Sequence, residues 1–345
     1  MQKKINASQT QLNNKLSLIY SEEYNPWYNL ALEEHLLNNL DDNEIILYLW
    51  QNDHTVVIGR NQNAWKECRC SQLEEEDSGF LARRLSGGGA VYHDKGNLNF
   101  TFILKRDKYN LKKQLSVILK AVKNLGIEAE FTGRNDLTAA GKKFSGNAFY
   151  YTKEKAYHHG TILFDTDIES LVDYLQVSKE KIKSKGIESV RSRVVNLKDL
   201  KENLSLEAVK NEVENSFIDI YSNENSSVNK KFIKPSKSEK LKSLYDKYSS
   251  WDWRYGRTPN FDIYFEKRFD WGGVELGINL KKGKIEELEV FTDAEDADLF
   301  LKINDSLKGK KLNKKIITAS LEELKDNNNS EQINDLQNWF LKRDI

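Results

Sequence analysis

A chain of 345 residues is long enough to bury two hydrophobic cores, and its 53 Lys and Arg are matched by 53 Asp and Glu, leaving a formal net charge of zero. That balance excludes the bulk positive field with which a protein coats nucleic acid or an anionic membrane, so partners have to be recognised locally. The two cysteines, Cys68 and Cys70, stand too close for an ordinary structural disulfide and lack the second pair that a zinc site needs. Residues 1–16 read as a polar, flexible segment without an apolar stretch, and no later run approaches a membrane span, so the expectation is a soluble, cytoplasmic protein.

In chain order, Asn25-Pro26 caps an amphipathic helix from Trp27 to Leu37. The runs Ile45–Trp50 and Thr55–Gly59, separated by Asn52-Asp53-His54, predict a β-hairpin with Trp50 at its edge. A charged helix is expected over Ala64–Asp77, then a strand Phe80–Leu85 that delivers Ser86-Gly87-Gly88-Gly89, with a second strand near Asn97–Leu104. Leu111, Leu115, Ile118, Leu119, Val122 and Leu125 recur at helical spacing, and Ile127, Ala129 and Phe131 alternate as in a strand with one wet face. Gly141–Ala148 reads as a turn. The strand Ala156–Phe164 carries His158 and His159 on opposite faces, so the two cannot share one metal ion. Thr166–Glu169 reads as a capping box for a helix ending near Leu175, Gly186–Arg193 as a loop, and Ser205 as the cap of the helix that closes a first domain, residues 17–222. The Asn/Ser/Lys-rich stretch 223–238 has the composition of a linker. Residues 239–345 then predict a small α+β unit of three antiparallel strands and helices near Glu295–Leu307 and Glu331–Leu341, with aromatic Ser250–Gly256 as a domain interface.

Three glycines in a row keep no side chain between a ligand and the backbone, so their N–H groups can converge on an anion. Arg83 and Arg84 stand just upstream, and guanidinium suits carboxylate and phosphate. The loop joins two strands, and neither a Walker A motif nor a strand–GxGxxG–helix unit occurs, so any nucleotide is held by another device.

Arg83 to Asn97, Arg-Arg-x-Ser-Gly-Gly-Gly-Ala-Val-Tyr-His-Asp-x-Gly-Asn, resembles the signature of the lipoate-protein ligases, relatives of the biotin-protein ligases. Gly133–Leu137, Gly141–Ala148, His158–Thr161 and Lys185–Arg193 extend the resemblance in order over about two thirds of the chain. It implies an α+β fold, with a large mixed-sheet catalytic domain and a small C-terminal accessory domain. The implied reaction makes lipoyl-AMP from lipoate and ATP, then passes the acyl group to a lysine of a lipoyl-domain acceptor. Such acceptors are the 2-oxoacid dehydrogenase acyltransferase subunits and the glycine-cleavage H protein, and the ligase is expected as a monomer.

By the same resemblance Lys143, rather than Lys142, contacts both the lipoyl carbonyl and the α-phosphate. Arg84, Gly89, Ala90, Val91, Tyr92, Asn135, Asp136, Lys143 and Ala148 bind ATP; Trp50, Arg84, Gly88, His93, Lys143, His159 and Gly160 bind lipoate. Asp136 is the candidate for a magnesium ion, and Arg191 and Arg193 either reach the adenylate or make surface pairs. The physical need for Lys143 is plain: a carboxylate attacking the α-phosphate brings two anions together, and a cation between them relieves the repulsion. An ATP-independent transferase of lipoyl or octanoyl groups is the alternative, and it calls for a cysteine nucleophile that Cys68 and Cys70 are poorly placed to supply.

Overall fold

A computed structural model describes residues 15–132, 136–175, 193–234, 239–256, 262–281 and 284–342. In chain order its first elements are β1 (Lys15–Ser21), α1 (Pro26–Asn38), β2 (Glu44–Trp50), β3 (Thr55–Ile58), α2 (Ala64–Glu67), β4 (Phe80–Arg83), β5 (Val91–His93) and β6 (Asn97–Lys105). There follow α3 (Leu111–Asn124), β7 (Ala129–Thr132), β8 (Asp136–Ala139), β9 (Lys142–Tyr151), β10 (Lys155–Leu163) and α4 (Ile168–Tyr174). Later come the helix Leu206–Tyr221 and the strand β11 (Ser227–Ile233).

The principal sheet is mixed and runs β11-β1-β2-β6-β10-β9-β8-β7. Its central strands are buried on both faces because alternate side chains enter different cores. Leu47, Leu49, Phe100 and Phe102 meet α3 and the helix Leu206–Tyr221, whereas Ile46, Tyr48, Trp50 and Tyr157 face α1. A second sheet, β4-β3-β5, lies over that α1 face, with Val57 and Ala82 in the shared core. The C-terminal unit is a sheet of β12 (Ile263–Phe269), β13 (Gly272–Lys281) and β14 (Lys284–Thr292) under the helices Ala297–Leu307, Lys314–Glu322 and Ser330–Leu341. The molecule is therefore α+β, with a large mixed-sheet unit and a small one.

Several local expectations give way to longer-range contacts. β2 and β3 do not form a hairpin: β2 pairs with β1 and β6, and β3 with β4 and β5, so the chain changes sheets between them. The anticipated charged helix breaks after α2, where Cys68 bridges to Leu175, and resumes as a short π-helical turn over Gln72–Glu76. Gly141–Ala148 is a turn only at its start, where Ala140 and Gly141 have positive φ; the rest is strand β9. Asp167, not Thr166, caps α4. Lys15 and Leu16, assigned to a flexible segment, begin β1. The supposed linker contains β11, which pairs in parallel with β1, and the helix Glu239–Ser249 buries Leu241 and Tyr248 against the α1 core rather than joining the small unit. The helix Lys314–Glu322 was not anticipated.

Arg83 shows what holds these pieces together. Its buried guanidinium donates to the carbonyls of Gly59, Arg60 and Gln62 and to those of Trp253 and Arg254, while the Trp253 indole N–H returns a bond to the Arg83 carbonyl at 2.8 Å. The aromatic segment 250–256 is thus tied to β4, and Arg83 binds backbone rather than an anionic guest. Replacing Arg83 by Leu takes a donor from five carbonyls, of which Gly59 keeps the Gln62 N–H at 3.2 Å, so the expected loss is at least about 3 kcal/mol, read from urea unfolding; an unchanged midpoint contradicts this clamp.

Candidate active site

A cleft opens between the α1 face of the principal sheet and the glycine loop, lined by residues from both. Its floor follows from strand register. Trp50 on β2 lies opposite Asn99 on β6, which lies opposite Thr161 on β10, and Thr161 Oγ1 accepts the N–H of Gly146 on β9 at 3.1 Å. These four residues form one row across four neighbouring strands, three intervals of about 4.8 Å, or roughly 14 Å in all. Leu30, Val57, Ala90 and Val91 supply apolar surface to the same cleft. The shape suits a slender chain lying across the strands.

The loop over this floor is gripped by Arg84. Adjacent residues on a strand point oppositely, so Arg84 turns inward where Arg83 turns away. Its Nε bonds Ser86 Oγ at 3.0 Å, and its NH2 nitrogen donates to the carbonyls of Gly87 and Gly89 at 2.7 and 2.8 Å. Because a trans peptide sets its N–H opposite its C=O, the Gly88 N–H faces the other way, and it donates to Ala294 of the small unit at 2.9 Å. The expected converging nest is therefore only partly open: one amide binds the small unit and Arg84 binds carbonyls. Burial lowers the Arg84 pKa to about 10, so the group stays charged at neutral pH.

Beneath the loop runs a buried hydrogen-bonded chain. His159 places Nδ1 2.9 Å from Glu33 Oε1 and Nε2 2.7 Å from Ser86 Oγ, and Glu33 Oε1 also accepts from Thr101, whose Oγ1 holds the Trp50 indole N–H. With Nδ1–H given to the carboxylate, Nε2 accepts the Ser86 hydroxyl. The distances are those of a nucleophile, a base and an orienting acid. Ser86, however, has no exposed surface and already accepts from Arg84, so the chain fixes the loop and the Trp50 ring. His158 faces the opposite side of the sheet, between Gln114 and Asn147.

Lys143 closes the other end of the row. The β8–β9 register shifts beside it, and its own N–H and C=O pair with Arg193 and Val195. That irregularity aims the side chain along the cleft. A Cβ on Gly146 would stand 3.1 Å from Lys143 Nζ, so the glycine makes room for the ammonium. The side chain is partly exposed and its Nζ lies 2.6 Å from Asp136 Oδ1.

Of the residues expected from the sequence, Trp50, Arg84, Gly88, Gly89, Ala90, Val91, His93, Lys143, Ala148, His159 and Gly160 line this one cleft. Tyr92 does not: its ring stacks on Tyr174 and its hydroxyl meets His54. Asp136 reaches the cleft only through Lys143, and Asn135 and Arg191 lie outside the described residues, whereas Arg193 contributes its carbonyl to β9. Among the described residues no group of three or more His, Cys, Asp or Glu side chains could hold a metal ion. Cys68 and Cys70 are buried in a separate cluster with Tyr174 and Tyr255, and neither lines the cleft. Sequence reading missed Leu30, Glu33, Ser86, Asn99, Gly146 and Thr161. Asn97, Asn99 and Thr101, alternating through an otherwise apolar strand, were the available signal for a polar row on one face.

An apolar slot across a mixed sheet, roofed by a glycine loop and, among the described residues, ended by one ammonium, fits the acyl ligases that the motifs resemble. The comparisons make the assignment specific. Residues 25–218 match the family model for the lipoyl protein ligase A/B catalytic domain, and residues 258–340 match that for the bacterial lipoate protein ligase C-terminus. Lipoate-protein ligase A of Psychrobacter cryohalolentis is 39% identical over 95% of this chain and 98% of its own; that of Blochmanniella floridana is 41% identical over 81% and 84%. Among solved structures, LipL1 of P. falciparum in complex with lipoate superposes with a TM-score of 0.84 at 32% identity, covering 96% of this chain and all of that one. A lipoate-protein ligase A bound with ATP gives 0.59 at 26%, covering 71% of this chain and 99% of its own. The chain belongs to the lipoate-protein ligase family.

Burial first, and then the charge of Arg84, lowers the His93 pKa to about 3; burial likewise holds His158 well below the usual imidazole range. Unfolded imidazoles titrate near 6.5, so below that pH the unfolded chain binds more protons and stability falls as pH drops. The expected slope reaches about 1.4 kcal/mol per pH unit for each of these two histidines. Urea midpoints at about pH 7.5 and 5.5 check this; equal midpoints contradict it.

Proposed function

We propose that the protein is an ATP-dependent lipoate ligase working through lipoyl-AMP. A lipoate carboxylate oxygen attacks the α-phosphorus of ATP and pyrophosphate leaves. The ε-amine of an acceptor lysine then attacks the acyl carbon, AMP leaves, and the amine gives up a proton. The observation that carries this reading is the position of Lys143, the single ammonium that the described residues bring to one end of an apolar slot, over a glycine and near a glycine loop. There it can leave Asp136, stand between carboxylate and phosphate, and offset the charge that grows as they react. Asp136 in turn keeps the ammonium oriented until substrates arrive.

The relatives support the substrates: one solved neighbour is described with lipoate, another with ATP, and a bipartite ligase from Thermoplasma acidophilum with its E2 lipoyl domain. On this reading Trp50, His93, Ala148, His159 and Gly160 surround the acyl chain. Arg84 supports the loop, whose amides at Gly89, Ala90 and Val91 face the phosphates. Magnesium, if used, is carried chiefly by the nucleotide, because Asp136 is already held by Lys143 and is the one carboxylate at that end of the cleft among the described residues. Acceptor lysines belong to lipoyl domains. The cysteine-dependent transferase gains no support from Cys68 and Cys70 in their buried cluster.

Lys143→Ala removes the cation without disturbing a core, since the side chain is partly exposed. Lipoate-dependent pyrophosphate release should fall by at least about a hundredfold while thermal unfolding is unchanged. Wild-type turnover in that variant, or acyl transfer by the unmodified protein without ATP, contradicts the reading.

A further inference from the structure

We infer that the Trp50 end of the cleft selects an acyl substrate whose far end carries hydrogen-bond acceptors, and that Asn99 and His93 do the selecting. The inference rests on the ligase reading, with the carboxyl at Lys143 and the far end reaching across the row to Trp50. Asn99 is 2% exposed, faces the cleft floor beside Trp50, and has its Oδ1 occupied by Asn97 Nδ2 at 3.0 Å. In that arrangement its Nδ2 is a buried donor without a partner among the described residues. His93 is 3% exposed and meets the Trp50 ring edge-on, with centroids 6.2 Å apart.

The tautomer of His93 follows from its neighbours. Asn52 Oδ1 accepts from Asn29 Nδ2 at 3.0 Å, which leaves Asn52 Nδ2 to donate to His93 Nδ1 at 3.1 Å. Nδ1 therefore carries the lone pair and Nε2 carries the hydrogen, and Nε2 is again a buried donor without a partner among the described residues. Both residues line the one cleft, among Leu30, Val57 and Val91. Unmet buried donors amid apolar walls disfavour a ligand that is hydrocarbon to its tip, because they stay unpaired when it binds. A disulfide ring at the end of the acyl chain offers sulfur lone pairs, which are weak acceptors but better than methylene.

The test uses the full chain with ATP, measuring kcat/KM for acyl-adenylate formation. The two acids compared are lipoate and its carbocyclic analogue, in which both sulfurs are methylenes. Wild type should prefer lipoate by about tenfold, and Asn99→Leu and His93→Phe should each bring the ratio towards one by improving use of the carbocycle. Because the wild-type comparison needs no substitution, a variant that fails to fold leaves the test intact. Equal use of the two acids by wild type, or an unchanged ratio in both folded variants, overturns the selector and leaves the ligase reading standing. Failure to adenylate either acid overturns the ligase reading, and the selector with it.

Discussion

Three successive glycines cannot hold a shape by themselves, since each is free to adopt conformations closed to other residues and loses that freedom on ordering. The buried guanidinium of Arg84 supplies the order, with one nitrogen bonding the carbonyls on either side of the loop tip. A buried charge is costly unless its donors are met, so loop and arginine fix each other. The position of the loop then sets the roof of the cleft, the Ser86 hydroxyl, and through His159 and Glu33 the attachment of the loop to α1. Arg83 does the same work on the other side of the strand, for the turn at 59–62 and the segment around Trp253. Two neighbouring arginines, pointing apart, brace both sides of one strand end.

The floor is a consequence of pairing register. A strand in the middle of a covered sheet is ordinarily apolar on both faces. Here β6 keeps Leu98, Phe100, Phe102 and Leu104 for the helical layer and gives Asn97, Asn99 and Thr101 to the other face. The result is a polar stripe under an apolar wall, with Lys143 at one end of the row and Trp50 at the other. Such asymmetry orients a chain that has an acid at one end and a ring at the other.

Much of this was legible in the sequence where the signal was local. The caps at Asn25 and Ser205, the helix after Asn110, the opposed directions of His158 and His159, and the triglycine loop between strands all follow from short-range rules. What local rules missed was decided by distant partners. Residues 44–58 look like a hairpin until β1 and β4 compete for the two strands. β11 looks like linker because Ser, Asn and Lys dominate it, and it is held by pairing with β1 rather than by burial. Arg83 and Arg84 look alike as anion binders, yet the burial of each is balanced by carbonyls brought in from elsewhere in the chain. Glu33 gave no sign in sequence, since an acidic residue in an amphipathic helix is usually solvated; its role appears only once β6 and β10 are folded beneath it.

The most direct measurement is a crystal structure of the protein bound to a non-hydrolysable analogue of an acyl-adenylate. The account requires Lys143 Nζ to have left Asp136 and to lie within about 3 Å of an oxygen at the acyl–phosphate junction, with the acyl chain crossing Thr161 and Asn99 toward Trp50. An analogue seated elsewhere, or in this cleft with the ammonium still paired to Asp136, would contradict it.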